Sequence, residues 1–151
     1  MVTALKRILL VEDDPRDIEL ILEALADYNL ANEVIVANDG EEALDYLYCR
    51  GNFKARHGDN PAVVLLDLKL PKVNGMEVLK QIRSDEKLRM IPVVVLTSSR
   101  EDKDWIESYK LGVNAYQAVE KLTSNKALPV INLCSRCIPE KYSDCGSKYF
   151  G

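Results

Sequence analysis

The sequence predicts an α/β fold with a doubly wound parallel sheet, and three observations carry that expectation. Short apolar runs recur along the chain, each followed by a stretch whose apolar residues fall at helical spacing. Val63-Val64-Leu65-Leu66 is unbroken by polar residues, as suits a parallel strand covered on both faces. The runs end on acids or hydroxyls, Glu12-Asp13-Asp14, Asp67 and Thr97-Ser98-Ser99. Ligands of open α/β sheets sit outside that carboxyl edge.

The first strand spans residues 7–11 and delivers Glu12, Asp13 and Asp14 to its exit. Asp14-Pro15 then starts a helix, Asp as N-cap and Pro at the first helical position, where its missing N–H costs nothing. Ile18, Ile21, Leu22 and Leu25 give that helix one apolar face. Residues 29–32 read as a loop, 33–37 as a second strand, and Asn38-Asp39-Gly40 as a turn into a helix with Ala43, Leu44 and Leu47 on one face. Between residues 49 and 60 the periodicity stops, which predicts an exposed polar insertion longer than most connections within a domain. His57, the only histidine, reads as a solvated residue of that loop. The central strand, residues 63–66, leads into Asp67, and Lys69-Leu70-Pro71-Lys72-Val73-Asn74-Gly75 is a loop before a helix carrying Val78, Leu79 and Ile82. A fourth strand over 92–96 ends on Thr97; Glu101 and Asp102 favour a helix start, Trp105 and Tyr109 lie four apart on it, and Gly112 closes it. Residues 114–119 form a fifth, weaker strand.

A chain of 151 residues is enough for one domain with a sizeable core, and 47% hydrophobic with 29% charged residues is an ordinary globular balance. The net charge of −4 argues against nucleic acid or an anionic membrane as main partner. No apolar stretch approaches the roughly 18 residues of a membrane span, and the first residues lack a secretory pattern. The expected location is cytoplasmic, with the four cysteines reduced.

Carboxylates crowded at one sheet edge repel each other, and a hard divalent cation with oxygen ligands relieves this. An aspartate beside such a cation is a competent nucleophile toward a phosphoryl group. Taken singly, Asp13 or Asp14 is also a helix cap, Asp67 a turn residue, Thr97 a strand end and Tyr116 a core aromatic; their joint placement at successive strand ends favours a site. A haloacid-dehalogenase-type phosphatase needs a second aspartate where Lys69 stands, and a dinucleotide enzyme needs a glycine-rich turn where Glu12-Asp13-Asp14-Pro15 stands.

The acid pair Glu12-Asp13, the acceptor-like Asp67, the Lys69-x-Pro71-x-x-x-Gly75 loop and the strand-end Thr97, in this order over residues 6–116, resemble the receiver domain of two-component response regulators. The loop before the central strand and Leu65-Leu66-Asp67-Leu68-Lys69-Leu70-Pro71 look like the stand-alone regulators paired with bacterial and cyanobacterial phytochromes. The resemblance implies a flavodoxin-like strand order 2-1-3-4-5 and a phosphoacceptor, not a turnover enzyme, with slow self-dephosphorylation. It implies that Asp67 takes a phosphoryl group from a sensor histidine kinase of phytochrome type in an Mg²⁺-dependent reaction. Asp13 then binds the metal directly, Glu12 directly or through water, and Lys69 through its backbone carbonyl, beside Asp67 itself. Thr97 donates its hydroxyl to a phosphoryl oxygen, and Tyr116 is the aromatic that changes exposure with it. Output passes through protein contacts, and homodimerisation is expected through the fourth helix and fifth strand, with Trp105 and Tyr109 at that face.

The chain departs from the family at the end of the fifth strand. A lysine and a proline are expected three positions after the aromatic, and Val119 and Glu120 stand there; Lys121 comes two residues late. The family lysine neutralises phosphoryl charge and relays its arrival, so the alternative reading is a receiver-like interaction module that does not switch. No final helix is apparent: Pro129 and Pro139 interrupt the tail, and Cys134, Cys137 and Cys145 lack a fourth zinc ligand nearby. The expected division is a receiver domain over 1–119 and an atypical segment over 120–151, whose Leu128, Val130, Ile131 and Leu133 cover the sheet surface around Val93, Val95 and Ala118.

Overall fold

A computed structural model describes residues 7–27, 34–56, 60–97, 107–108, 110–113 and 115–118. Its elements are β1 (Ile8–Val11), α1 (Pro15–Ala26), β2 (Val34–Ala37), α2 (Gly40–Leu47), a 3-10 turn (Gly51–Phe53), β3 (Val63–Leu66), α3 (Gly75–Ser84), β4 (Val93–Thr97) and β5 (Ala115–Ala118). All strand pairs are parallel, β1 lies between β2 and β3, and β4 follows β3 in the order 2-1-3-4. The backbone of β5 adjoins β4, with Val94 opposite Ala115 and Thr97 opposite Ala118.

Alternate residues of β1, β3 and β4 face opposite sides, and both sides are covered. Leu9, Val11, Val64, Leu66, Val93 and Val95 pack with Leu44, Leu47, Val78, Leu79 and Ile82 of α2 and α3. Ile8, Leu10, Val63, Leu65, Val94 and Leu96 pack with Ile21 and Leu25 of α1. The uniform apolar runs follow from that double cover, since no face of these strands meets water.

The helix starts are set locally. The Asp14 side chain accepts the Arg16 N–H at 2.8 Å, with Pro15 next to the cap. Asp39 accepts from Glu42 N at 2.7 Å, while Glu42 Oε2 accepts back from Asn38 N at 3.0 Å. Asn74 accepts from Glu77 N at 2.9 Å. Each side chain satisfies an N–H that the helix leaves unpaired. Gly112 has φ +71°, the left-handed conformation expected after a helix end, and residues 107, 108 and 110 just before it are helical.

The stretch from residue 49 to 56 is largely exposed, as expected of an insertion, but two of its side chains pack on α2. Phe53 meets the buried Tyr46 of α2 edge-on, ring centroids 5.2 Å apart. The Arg56 guanidinium lies 4.3 Å from the same ring and donates from Nε to the Tyr46 carbonyl at 3.0 Å. The segment thus satisfies a C-terminal carbonyl of α2 and stays against the helix. His57, Trp105, Tyr109, Val119, Glu120, Lys121 and the segment over 120–151, including Leu128, Val130, Ile131, Leu133 and its cysteines, lie outside the described residues. Among the described residues no helix is long and apolar enough to cross a membrane.

Candidate functional site

The sheet register assembles the site. Val11 is opposite Leu66 on one side and Ala37 on the other, so the residues after β1 and β3 emerge at one level. Two further ladder bonds extend this, Glu12 N to the Ala37 carbonyl and Asp67 N to the Val11 carbonyl, both 3.0 Å. Glu12, Asp13 and Asp67 consequently converge, each offering a carboxylate oxygen within 4.8 Å of the others.

Their environments differ. Glu12 is 3% exposed and Asp67 9%, whereas Asp13 is open to solvent. Glu12 Oε1 accepts the Asp13 and Asp14 N–H groups at 3.0 and 3.1 Å, which turns its carboxylate over the start of α1. Burial pushes the Glu12 carboxyl up to about 8; the Asp14 N–H opposes that, and the nearby Asp67 charge adds to it. Asp17 is also raised, by burial first and then by Asp14 and Asp13. Neighbouring acids add to the rise at both residues. Three carboxylate oxygens of this kind suit a hard divalent cation.

Lys69 contributes its backbone: its N–H donates to Asp67 Oδ1 at 3.2 Å, and its side chain is exposed. Gly75 closes the β3–α3 loop, donating to the Leu68 carbonyl at 2.9 Å. A Cβ on Gly75 would overlap the Asp67 carbonyl oxygen, which accounts for glycine there. Thr97 ends β4, two positions beyond Val95, the partner of Leu66; Tyr116 lies opposite Val95 in β5. Asp17, in the first turn of α1, lies outside the cluster, and its charge adds to the rise at Glu12.

Acids gathered at the carboxyl edge of a doubly wound parallel sheet define a cation-binding domain of the receiver type. The chain belongs to the response regulator receiver domain family, whose model matches residues 8–130. Domains of this family are phosphoacceptors with weak self-dephosphorylation and not turnover catalysts. Response regulator Rcp1 of Synechocystis sp. is 43% identical over 111 residues, 74% of this chain and 74% of that protein. Its Mn(2+)-bound crystal structure superposes with a TM-score of 0.72 at 38% identity, covering 87% of this chain and 88% of that one. The bacteriophytochrome response regulator RtBRR matches with a TM-score of 0.77 and 52% identity over 96% of this chain and 90% of its own. The phosphorylated cyanobacterial phytochrome response regulator RcpA matches at 0.74 and 42% identity, over 85% and 89%.

Proposed function

We propose that this chain is a phosphorylation switch in which Asp67 accepts a phosphoryl group from a phytochrome-type histidine kinase, with Mg²⁺ as the cation, and signals through protein contacts. One observation carries the reading: the convergence of Glu12, Asp13 and Asp67 within 4.8 Å at the carboxyl edge of the sheet. In the step itself an Asp67 carboxylate oxygen forms a bond to phosphorus as the phosphorus–nitrogen bond of the kinase phosphohistidine breaks. The imidazole leaves with that electron pair and is protonated, and Asp67 becomes an acyl phosphate.

When bound, the cation offsets the charge on the transferring oxygens. Asp13 and Asp67 hold it directly, Glu12 directly or through water, and Lys69 through its carbonyl. The oxygen-only donor set suits a hard divalent cation such as Mg²⁺, and the Mn(2+)-bound form of Rcp1 supports a divalent cation in this kind of site. Thr97 donates its hydroxyl to a phosphoryl oxygen and Tyr116 reports its movement, a pairing supported by the ends of β4 and β5 lying side by side. The kinase class is supported by the likeness to RtBRR and RcpA, both phytochrome-type regulators. The same reading takes the sheet as the full 2-1-3-4-5 order, residues 1–119 as the receiver and 120–151 as a divergent segment, in a cytoplasmic protein that pairs through its fourth helix and fifth strand.

Val119 in place of the family lysine favours a second reading, a module that binds partners without switching. Intact mass after incubation with Mg²⁺ and acetyl phosphate, on the native chain and Asp67→Asn, with size-exclusion elution of the same samples, separates the two. An adduct on the native chain alone, with shifted elution, is the expected result. An adduct without a shift favours the second reading, and no adduct on a folded native chain removes the acceptor role.

A further inference from the structure

Gly40 and Lys72 lie outside the acidic cluster, at the contact between the start of α2 and the β3–α3 loop. Gly40 opens α2, and a Cβ on it would overlap the Val73 carbonyl oxygen and come within 2.7 Å of the Val73 carbonyl carbon. The start of α2 therefore touches the β3–α3 loop backbone to backbone. Lys72, in that loop, has φ +64°, a left-handed conformation that side chains other than glycine rarely adopt. Its Nζ is 3.5 Å from Asp39 Oδ2 and 3.5 Å from Glu41 Oε2. Asp39 uses its other oxygen, Oδ1, to cap α2. One carboxylate thus joins the helix start to the loop.

Gly75, packed on the Asp67 carbonyl, ties the end of the loop back to its beginning. Lys69 lies between the Asp67–Leu68 backbone on which Gly75 packs and the Lys72–Val73 contact with α2, and its N–H holds Asp67 Oδ1. We propose that Gly40 and Lys72 are positioning residues for Asp67: they seat the β3–α3 loop on the start of α2 and thereby keep the Lys69 N–H on the acceptor carboxylate. The consequence for phosphoryl transfer rests on the acceptor reading above. The two contributions are unequal. Exposed ion pairs at this distance are weak, whereas a Cβ facing a backbone carbonyl has no rotamer by which to escape, so Gly40 dominates. The left-handed backbone at Lys72 is a conformational cost kept where its surroundings fix it, here by the two acids and the Val73 contact.

The test uses the full chain with saturating Mg²⁺ and two readouts on native protein, Gly40→Ala, Lys72→Met and Lys72→Arg. One is the Lys69 amide resonance in a proton–nitrogen correlation spectrum, and the other is the maximal rate of phosphoryl adduct formation at saturating acetyl phosphate, scaled to the folded fraction by circular dichroism. Gly40→Ala is expected to move the Lys69 resonance toward that of a solvated amide and to slow the rate about tenfold, Lys72→Met about threefold, with Lys72→Arg within about twofold of native. Unchanged resonance and rate, a moved resonance at native rate, or a rate that falls only with the folded fraction overturns the inference. If Gly40→Ala does not fold, the contrast between Lys72→Met and Lys72→Arg decides it. A native chain that forms no adduct, with variants that still displace the Lys69 resonance, overturns the acceptor reading and leaves the placement of the Asp67 carboxylate supported.

Discussion

Glu12 is the most buried member of the acidic cluster, where charge and burial meet. Its folded pKa of about 8 lies above the ordinary 4.5, so the folded chain holds a proton that the unfolded chain releases between those values. A raised carboxyl contributes stability that is fully present below pH 4.5 and is lost as pH climbs through about 8. The metal-free chain is thus expected to melt at progressively lower temperature across that window. A divalent cation binds the ionised form, so the thermal shift produced by saturating Mg²⁺ should grow over the same window. Melting curves with and without Mg²⁺ at several pH values check this. Glu12→Gln keeps an oxygen for the Asp13 and Asp14 N–H groups but cannot ionise, and should flatten the metal-free pH dependence while weakening the cation shift. An unchanged slope in that variant would assign the dependence to other acids, Asp17 first, since it too is raised by burial.

At the scale of elements, strands and caps contribute unequally. Leu65 of β3 is 0% exposed and packs against the α1 side of the sheet. Leu65→Ala is expected to cost about 2–5 kcal/mol through lost burial and the cavity left behind. Asn74→Ala removes only the α3 cap and should cost about 1 kcal/mol. Urea unfolding of both variants tests the ranking, and equal costs would contradict it. The same contrast explains what was legible in the sequence. Strands β1, β3 and β4 could be read because double cover makes them uniformly apolar, and the Asp14-Pro15 helix start because capping is settled within four residues; Asp39 and Asn74, read as turn and loop residues, cap α2 and α3 in the same way. The packing of Phe53 and Arg56 on Tyr46 could not, since it depends on a contact between a helix face and a loop whose composition is polar. The acids of the site were legible from their strand-end positions. The burial of Glu12 against the exposure of Asp13 was not, because it follows from the sheet register and the turn of α1. The contact of Gly40 with Val73 was hidden for the same reason: nothing near either residue in sequence announces the other.

Across the whole molecule, the acidic edge and the β5 side must share one rigid frame if an event at Asp67 is to be felt elsewhere, and Arg83 supplies part of it. From the last turn of α3 its guanidinium donates to the carbonyls of Arg89 and Ile91 in the connection to β4, at 2.9 and 2.8 Å. It also reaches the carbonyls of Leu111 and Gly112 in the turn before β5, at 2.7 and 3.0 Å. One planar fork thus ties α3 to two segments distant from each other in sequence, a geometry that an ammonium cannot reproduce. Burial lowers the Arg83 pKa, yet an arginine stays charged throughout the working range. Arg83→Ala should therefore cost about 2–3 kcal/mol, the scale of charge-assisted hydrogen bonds lost to partly buried carbonyls. Lys80, whose exposed ammonium pairs with Glu107 at 2.9 Å, also bridges α3 to the segment before β5, but Lys80→Ala should cost much less than Arg83→Ala, since exposed pairs contribute little. Hydrogen exchange locates the effect. In Arg83→Ala, protection should fall first over residues 110–118 while β1 and β3 keep theirs, because the fork supplies the hydrogen bonds from that segment to α3. A uniform fall across all strands would instead make Arg83 a general contributor to stability, and the coupling between α3 and β5 would have to run through the β4–β5 ladder and the packing of Leu111 and Val113 on the core.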